Sequence, residues 1–242
     1  MSLAATAVGD QGPPVVLLHG GGQTRHAWAA TAGRLAVAGF SVLTFDLRGH
    51  GESSWAPDGD YSDEVMLADL EAVLSTVRDV PALVGASTGG ALSLRYAGGR
   101  GRVSAIVLVD FVPRLEVSGV ERVRSFMLAH ADGFESLEQA QAAVAAYAPR
   151  PTSGRGSAGL RKNLRQGRDG RWRWHWDPAF MRPAVDPARE ATLVAAARAL
   201  TAPTLLVRGA RSDVVTPAGV RDFLSLAPHA RHVEVPDRTH MI

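Results

Sequence analysis

The chain of 242 residues contains no cysteine. Disulfide frameworks, thiolate nucleophiles and thiolate metal sites are thereby excluded, while compartment stays open, because absence fits either side of a membrane. Lysine is almost as scarce: Lys162 stands alone, so the basic charge is carried by arginine. With 26 basic against 24 acidic residues, the net charge of +2 is weak evidence for nucleic-acid binding, which usually needs a clustered basic face with aromatic or groove-reading elements. No run approaches 18 uninterrupted apolar residues, and Met1–Asp10 has neither a basic n-region nor an apolar h-region. Neither a membrane span nor a secretory signal is expected, and a cytoplasmic location is the default. Repeats at solenoid periods are also missing. What remains is a composition of 46% hydrophobic and 21% charged residues, which suits a chain able to bury a sizeable core and excludes disorder, collagen and coiled coil. At about 150 residues per domain, the length fits one large domain or one domain with an insertion.

Short apolar runs bounded by turn residues punctuate the chain at Val15–His19, Ser41–Phe45, Ala82–Gly85, Ala105–Val109 and Thr204–Val207, with a more polar run at His232–Val235. Continuous rather than alternating runs indicate strands covered on both faces, as in a parallel sheet. Helical stretches lie between them. Residues 63–78 place Met66, Leu70, Val73 and Val77 on one face, with Ser62 as N-cap and Asp63 and Glu64 at the positive end of the helix dipole. Thr216 then Pro217 opens another helix in N-cap and N1 order, and Pro228 closes it. The alternation predicts a doubly wound, mostly parallel α/β sheet. From Pro113 to Thr201 the rhythm breaks: helical stretches around 119–130 and 136–147, a Gly/Ser/Arg-rich loop at 153–159 and a tryptophan cluster replace the strand signals. The simplest reading is a catalytic core of residues 1–112 and 201–242 interrupted by a helical cap, residues 113–200.

Within Val84–Gly90 stands Gly-x-Ser-x-Gly, Gly85 to Gly89. The bare pattern is weak, but its setting is not, because Pro81–Gly85 reads as a strand and Ala91–Ala97 as a helix. Ser87 then falls on a strand-to-helix turn, where small residues two before and two after let the chain close and lift the hydroxyl clear of the sheet. A serine hydroxyl needs a base oriented by a third group. His240, just after the last strand, is the expected base. Two acids compete for the third place, Asp213 beyond the Thr204–Val207 strand and Asp110 at the end of Ala105–Val109. Both occupy carboxyl ends of strands, so topology alone does not separate them; the loop around Asp213 gives it the better context. His19-Gly20-Gly21-Gly22 follows the first core strand, and the glycine run lets its backbone approach a substrate carbonyl, where an amide of the run can pair with that of Thr88 as an oxyanion hole. A phosphate-cradling loop is disfavoured, since neither Gly-Lys-Ser/Thr nor Gly-x-Gly-x-x-Gly occurs here.

Together with Phe45–Ser53 and Arg208–Asp213, these motifs resemble the α/β-hydrolase superfamily over nearly the whole chain except the cap. Leu108-Val109-Asp110 leading into Pro113-Arg114 is similar to the epoxide-hydrolase-like or non-haem peroxidase-like branch, and Ser87-Thr88-Gly89-Gly90 resembles the nucleophile turn of cofactor-free haloperoxidases. The resemblance implies Ser87 as nucleophile, His240 as base, Asp213 as acid, and the amides of Gly21 and Thr88 as oxyanion donors. Serine replaces the aspartate that true epoxide hydrolases and haloalkane dehalogenases use, so acyl chemistry is favoured. The resemblance also implies a strand before Ala4–Val8 and a closing helix after His240, so the chain is expected to be shortened at both ends.

Trp172, Trp174 and Trp176 alternate with Arg173 and His175, as in an extended segment with one aromatic face, and either form a pocket wall or pin the cap to its own helices. Arg161, Lys162, Arg165, Arg168, Arg171 and Arg173 read as a solvated face. Asp46, Arg48 and His50 are expected to build the turn after their strand. The resulting expectation is a serine hydrolase for a small ester, lactone or related acyl compound, without metal or organic cofactor, nucleic-acid partner or membrane partner. Perhydrolysis and carbon–carbon bond hydrolysis use the same triad, and a non-catalytic receptor would keep the fold to bind a small ligand.

Overall fold

Residues 1–147, 160–181 and 186–241 of the chain are described by a computed structural model. The Gly/Ser/Arg-rich loop expected at 153–159 lies outside the described residues. Strands β1 (Ala5–Val8), β2 (Pro14–Leu18), β3 (Ser41–Phe45), β4 (Ala82–Ala86), β5 (Ala105–Val109), β8 (Thr204–Gly209) and β9 (Arg231–Val235) form one seven-stranded sheet in the order β1-β3-β2-β4-β5-β8-β9. Only β1 runs antiparallel to its neighbour; the other pairs are parallel. All six strands read from sequence are present. The crossovers carry α1 (Ala29–Val37), α2 (Asp63–Leu74), α3 (Thr88–Arg95), α6 (Pro187–Ala199) and α7 (Pro217–Leu226).

Alternation along each strand divides the core between two faces. Val16, Leu18 and Leu83 turn toward Met66, Leu67 and Leu70 of α2 and Leu92 of α3. Ile106, Leu108 and Leu206 continue that face and meet Leu94, Leu193, Ala197 and Phe223. On the opposite face Val15, Leu17 and Val42 pack on Ala32 of α1. Coverage there is uneven, contrary to the expectation of strands buried on both sides: α1 lies over β1 and β3, while Val107, Leu205 and Val207 stay half-buried and Val233 is exposed.

Local rules explain where the helices begin and stop. The Ser62 hydroxyl accepts the Val65 N–H, and Thr216 accepts that of Gly219 with Pro217 at the first helical position, as read from sequence. Helix α2 ends at Leu74 rather than residue 78, because Ser75 and Thr76 turn their hydroxyls back onto the carbonyls of Ala72 and Val73, which competes with continued helix.

The expected cap is more mixed than its sequence suggests. Helices α4 (Val117–Leu128) and α5 (Leu137–Tyr147) appear where helix was expected, but a short antiparallel hairpin, β6 (Leu164–Gln166) with β7 (Trp172–Trp174), lies beside them. Phe134, Ala140 and Leu164 form a small core of its own there. Helix α6, assigned to the cap by sequence position, packs with α3 in the main core instead. Among the described residues no helix is long and apolar enough to cross a membrane.

Candidate active site

Ser87 sits between β4 and α3 with φ 48° and ψ −113°, a left-handed conformation that non-glycine residues adopt only when their surroundings enforce it. The surroundings here are backbone. A Cβ on Gly85 would lie 2.2 Å from the Gly89 carbonyl oxygen, and one on Gly89 would lie 2.4 Å from that of Leu18. The two glycines of the motif therefore let the turn fold flat against β2, while the Ser87 amide donates to the Val109 carbonyl at 3.2 Å. The side chain lines a cavity of about 510 Å³ between the sheet and the cap, within the usual range for small-molecule sites.

His240 reaches the same cavity from the loop after β9. That loop is clamped to the end of β8: Arg211 N–H donates to the Arg238 carbonyl at 2.7 Å, and Gly209 packs so closely that a Cβ would lie 2.2 Å from the Thr239 oxygen. The imidazole Nδ1 lies 2.7 Å from Oδ2 of Asp110. Asp110, at the carboxyl end of β5, is itself held in a left-handed conformation, φ 47°, and is fully buried. Its Oδ1 accepts the Gly209 N–H at 2.9 Å, and its Oδ2 also accepts the Ser212 hydroxyl at 2.5 Å. With Nδ1–H donating to a carboxylate, Nε2 is the ring nitrogen that carries the lone pair.

The expected contact between His240 and Asp213 is not formed. Asp213 instead accepts from Nε of Arg122 on α4 at 2.6 Å, and its other oxygen is buried without a partner among the described residues. Burial pushes its carboxyl pKa up, but the hydrogen bond and charge of Arg122 outweigh that and leave it below the ordinary value. Sequence order could not separate the two acids, because what separates them is Arg122, a cap residue that holds Asp213, and Ser212, whose hydroxyl fastens Asp110.

In the glycine loop after β2, two amides are spent on fixing the loop itself. Gly20 N–H donates to Oε1 of Gln23 at 3.1 Å and Gly22 N–H to Nε2 of His50 at 3.1 Å. The Gly21 amide between them has no partner among the described residues. A Cβ on Gly21 would stand 3.3 Å from Oγ1 of Thr88, so the two expected oxyanion donors are neighbours, and the Thr88 amide belongs to the first turn of α3, where N–H groups have no helical partner. Behind the loop, His19 bridges the Gly20 carbonyl and the Leu47 N–H at 2.8 and 3.0 Å, and His50 bridges the Arg48 carbonyl at 3.0 Å and the Gly22 amide. Both rings are completely buried. Burial pushes their pKa down, that of His50 to about 3, so both are neutral. Asp46 accepts the Glu52 N–H at 2.9 Å across the turn after β3, while Arg48 reaches away from it to pair with Asp69 of α2.

The three tryptophans divide between the two roles open to them. Trp174 and Trp176 line the cavity; Trp172 lies in the cap core, with the Arg161 guanidinium 5.7 Å from its ring. The arginine run is spent on the surface: Arg173 pairs with Asp169, and Arg171 binds the carbonyls of Asp132 and Gly133. Gln23 and Asn163, which no sequence motif singled out, also line the cavity. No group of three or more metal-ligating side chains occurs among the described residues.

The sequence profile of a family described as alpha/beta hydrolase fold matches residues 13–242. The chain belongs to the α/β-hydrolase fold family. Among curated relatives of this hydrolase, esterase Rv0045c of Mycobacterium tuberculosis is 31% identical over 98% of the chain and 80% of its own length. The 3-hydroxybutyrate-oligomer hydrolase of Cupriavidus necator is 28% identical over 96% of the chain and 84% of its own length. Among solved structures, E-2-(acetamidomethylene)succinate hydrolase superposes with a TM-score of 0.83 at 26% identity, covering 98% of this chain and 88% of that one. The α/β hydrolase described here thus shares its family with curated relatives that include an esterase.

Proposed function

We propose that this hydrolase cleaves small carboxylic esters or lactones through an acyl-enzyme on Ser87. The observation that carries the reading is one juxtaposition: a serine on a strained turn at the start of α3 and a histidine anchored by a buried carboxylate open into the same cavity. The steps follow from that arrangement. Nε2 of His240 takes the Ser87 proton as Oγ attacks the substrate carbonyl, and the oxygen that becomes negative is met by the amides of Gly21 and Thr88. Asp110 does not touch the substrate; it positions the imidazole and favours its cation once the proton has moved. The imidazolium then returns that proton to the departing alcohol, and a water activated by the same nitrogen releases the acid from Ser87. In the structure the Ser87 hydroxyl has no hydrogen-bond partner among the described residues. Catalytic hydrogen bonds that are open in the free enzyme close when substrate occupies the site.

Cavity walls of Phe111, Val120, Val123, Met127, Trp176 and Phe180 favour an apolar group beside the scissile bond. Labelling with a fluorophosphonate and turnover of p-nitrophenyl esters test the reading. Ser87→Ala is expected to remove labelling and lower kcat by about 10³-fold or more; labelling that persists in that variant overturns it.

A further inference from the structure

Two neutral polar side chains in the cavity, Gln23 and Asn163, take no part in the chemistry above. Because Oε1 of Gln23 accepts the Gly20 N–H at 3.1 Å, the orientation of its carboxamide is fixed: an amide donor must meet the oxygen, and Nε2 is the end that remains. Oδ1 of Asn163 lies 3.3 Å from the Thr24 hydroxyl, which also lies 3.4 Å from the Lys162 carbonyl; with the oxygen on that side, Nδ2 is the end left toward the cavity. Neither nitrogen has an acceptor among the described residues. The two groups share one wall, since Thr24 follows Gln23 in the chain and binds Asn163. Asn163 is anchored in turn by its carbonyl, which accepts the His175 N–H at 2.9 Å. That wall borders the nucleophile: the position a Cβ on Gly20 would take lies 3.3 Å from Oε1 of Gln23 and 3.3 Å from Cβ of Ser87.

The carboxamides thus present N–H donors and no free acceptor to a cavity otherwise walled mainly by hydrocarbon and aromatic rings. A plain alkanoyl chain leaves such donors unpaired, whereas a chain with an oxygen a few bonds from the scissile carbonyl satisfies them. The leaving alcohol must face His240 to receive its proton, while Gln23 belongs to the oxyanion loop, so it is the acyl part that lies against the carboxamides. We infer that Gln23 and Asn163 form a polar subsite that selects acyl groups carrying a hydroxy or oxo oxygen close to the scissile carbonyl. The inference rests on ester hydrolysis at Ser87.

The test compares methyl butanoate, methyl 3-hydroxybutanoate and methyl 3-oxobutanoate, each kcat/KM divided by the ester's own rate of hydroxide hydrolysis to remove intrinsic reactivity. The wild-type enzyme is expected to favour both oxygenated esters over butanoate by at least tenfold, expressed in KM. Asn163→Leu is expected to cut both ratios at least fivefold. Gln23→Glu, which keeps the oxygen that accepts the Gly20 amide but carries no donor, is expected to cut the 3-oxo ratio as strongly, since a ketone only accepts. Each ratio is measured within a single preparation, so loss of folded protein cancels. A wild-type preference below threefold, or a preference that survives both substitutions, overturns the subsite. If turnover still vanishes in Ser87→Ala, the serine-hydrolase reading stands without it; turnover that persists in Ser87→Ala overturns both.

Discussion

A carboxylate orients an imidazole only from a fixed position, and Asp110 has one. It is buried, takes the Gly209 N–H on one oxygen and the Ser212 hydroxyl on the other, and meets His240 at 2.7 Å. Asp213 is about two-fifths exposed and paired with an equally exposed Arg122, an interaction worth less than about 1 kcal/mol. Asp110→Asn is therefore expected to lower kcat by about 10²–10⁴-fold, because an amide in that place no longer selects the Nδ1–H tautomer, whereas Asp213→Asn is expected to stay within tenfold of wild type. Steady-state hydrolysis of p-nitrophenyl butanoate by the two purified variants checks this, and the reverse order of losses would return the role to Asp213. The sequence shows both acids at strand ends. It does not show that Ser212 turns inward to bind one and that Arg122, some ninety positions upstream, holds the other.

At the scale of an element, the strand–turn–helix from β4 to α3 was the most legible part of the chain, since its glycine spacing follows from sterics. Gly89 must let α3 approach β2 to within contact of the Leu18 backbone; a Cβ there meets the Leu18 oxygen at 2.4 Å and its Cβ at 2.7 Å. Neither atom can yield without moving the strand. Gly89→Ala is thus expected to cost about 3 kcal/mol or more, a fall in Tm of roughly 6–12 °C for a chain of this size, with activity lost even in the fraction that stays folded; thermal melts and active-site titration separate the two effects. The cap was the least legible. The alternation of Trp172, Trp174 and Trp176 marks the extended segment that becomes β7, but its partner β6, three residues long, carries no pattern of its own, and Phe134, which bridges to Trp172, lies thirty-eight residues upstream of it. Helix α6 resembles a cap helix in sequence position alone. Its burial against α3, through Leu193, Val194, Ala196 and Ala197, is a tertiary fact that one sequence does not carry.

Across the whole molecule, folding encloses two histidines that are free to titrate in the unfolded chain. Burial holds His50 at a pKa of about 3 and shifts His19 in the same direction, against an unfolded value near 6.5. Above pH 6.5 neither state binds the proton and stability is at its full value. As pH falls below 6.5 the unfolded chain gains protons that the folded one refuses, so stability declines continuously toward pH 3. His26 and His175, also lowered by burial and by neighbouring cations, add to the same slope. At about 1.4 kcal/mol per unit, His50 alone accounts for roughly 2 kcal/mol between pH 6.5 and pH 5, a window above most carboxylate titrations. The urea midpoint is therefore expected to fall steadily from pH 7 to pH 5, and His50→Gln, whose amide offers an acceptor to Gly22 and a donor to the Arg48 carbonyl, is expected to flatten that fall. A midpoint constant over the window would mean that His50 takes up its proton inside the fold, and the Gly22 amide would then lose the lone pair that holds the oxyanion loop in place.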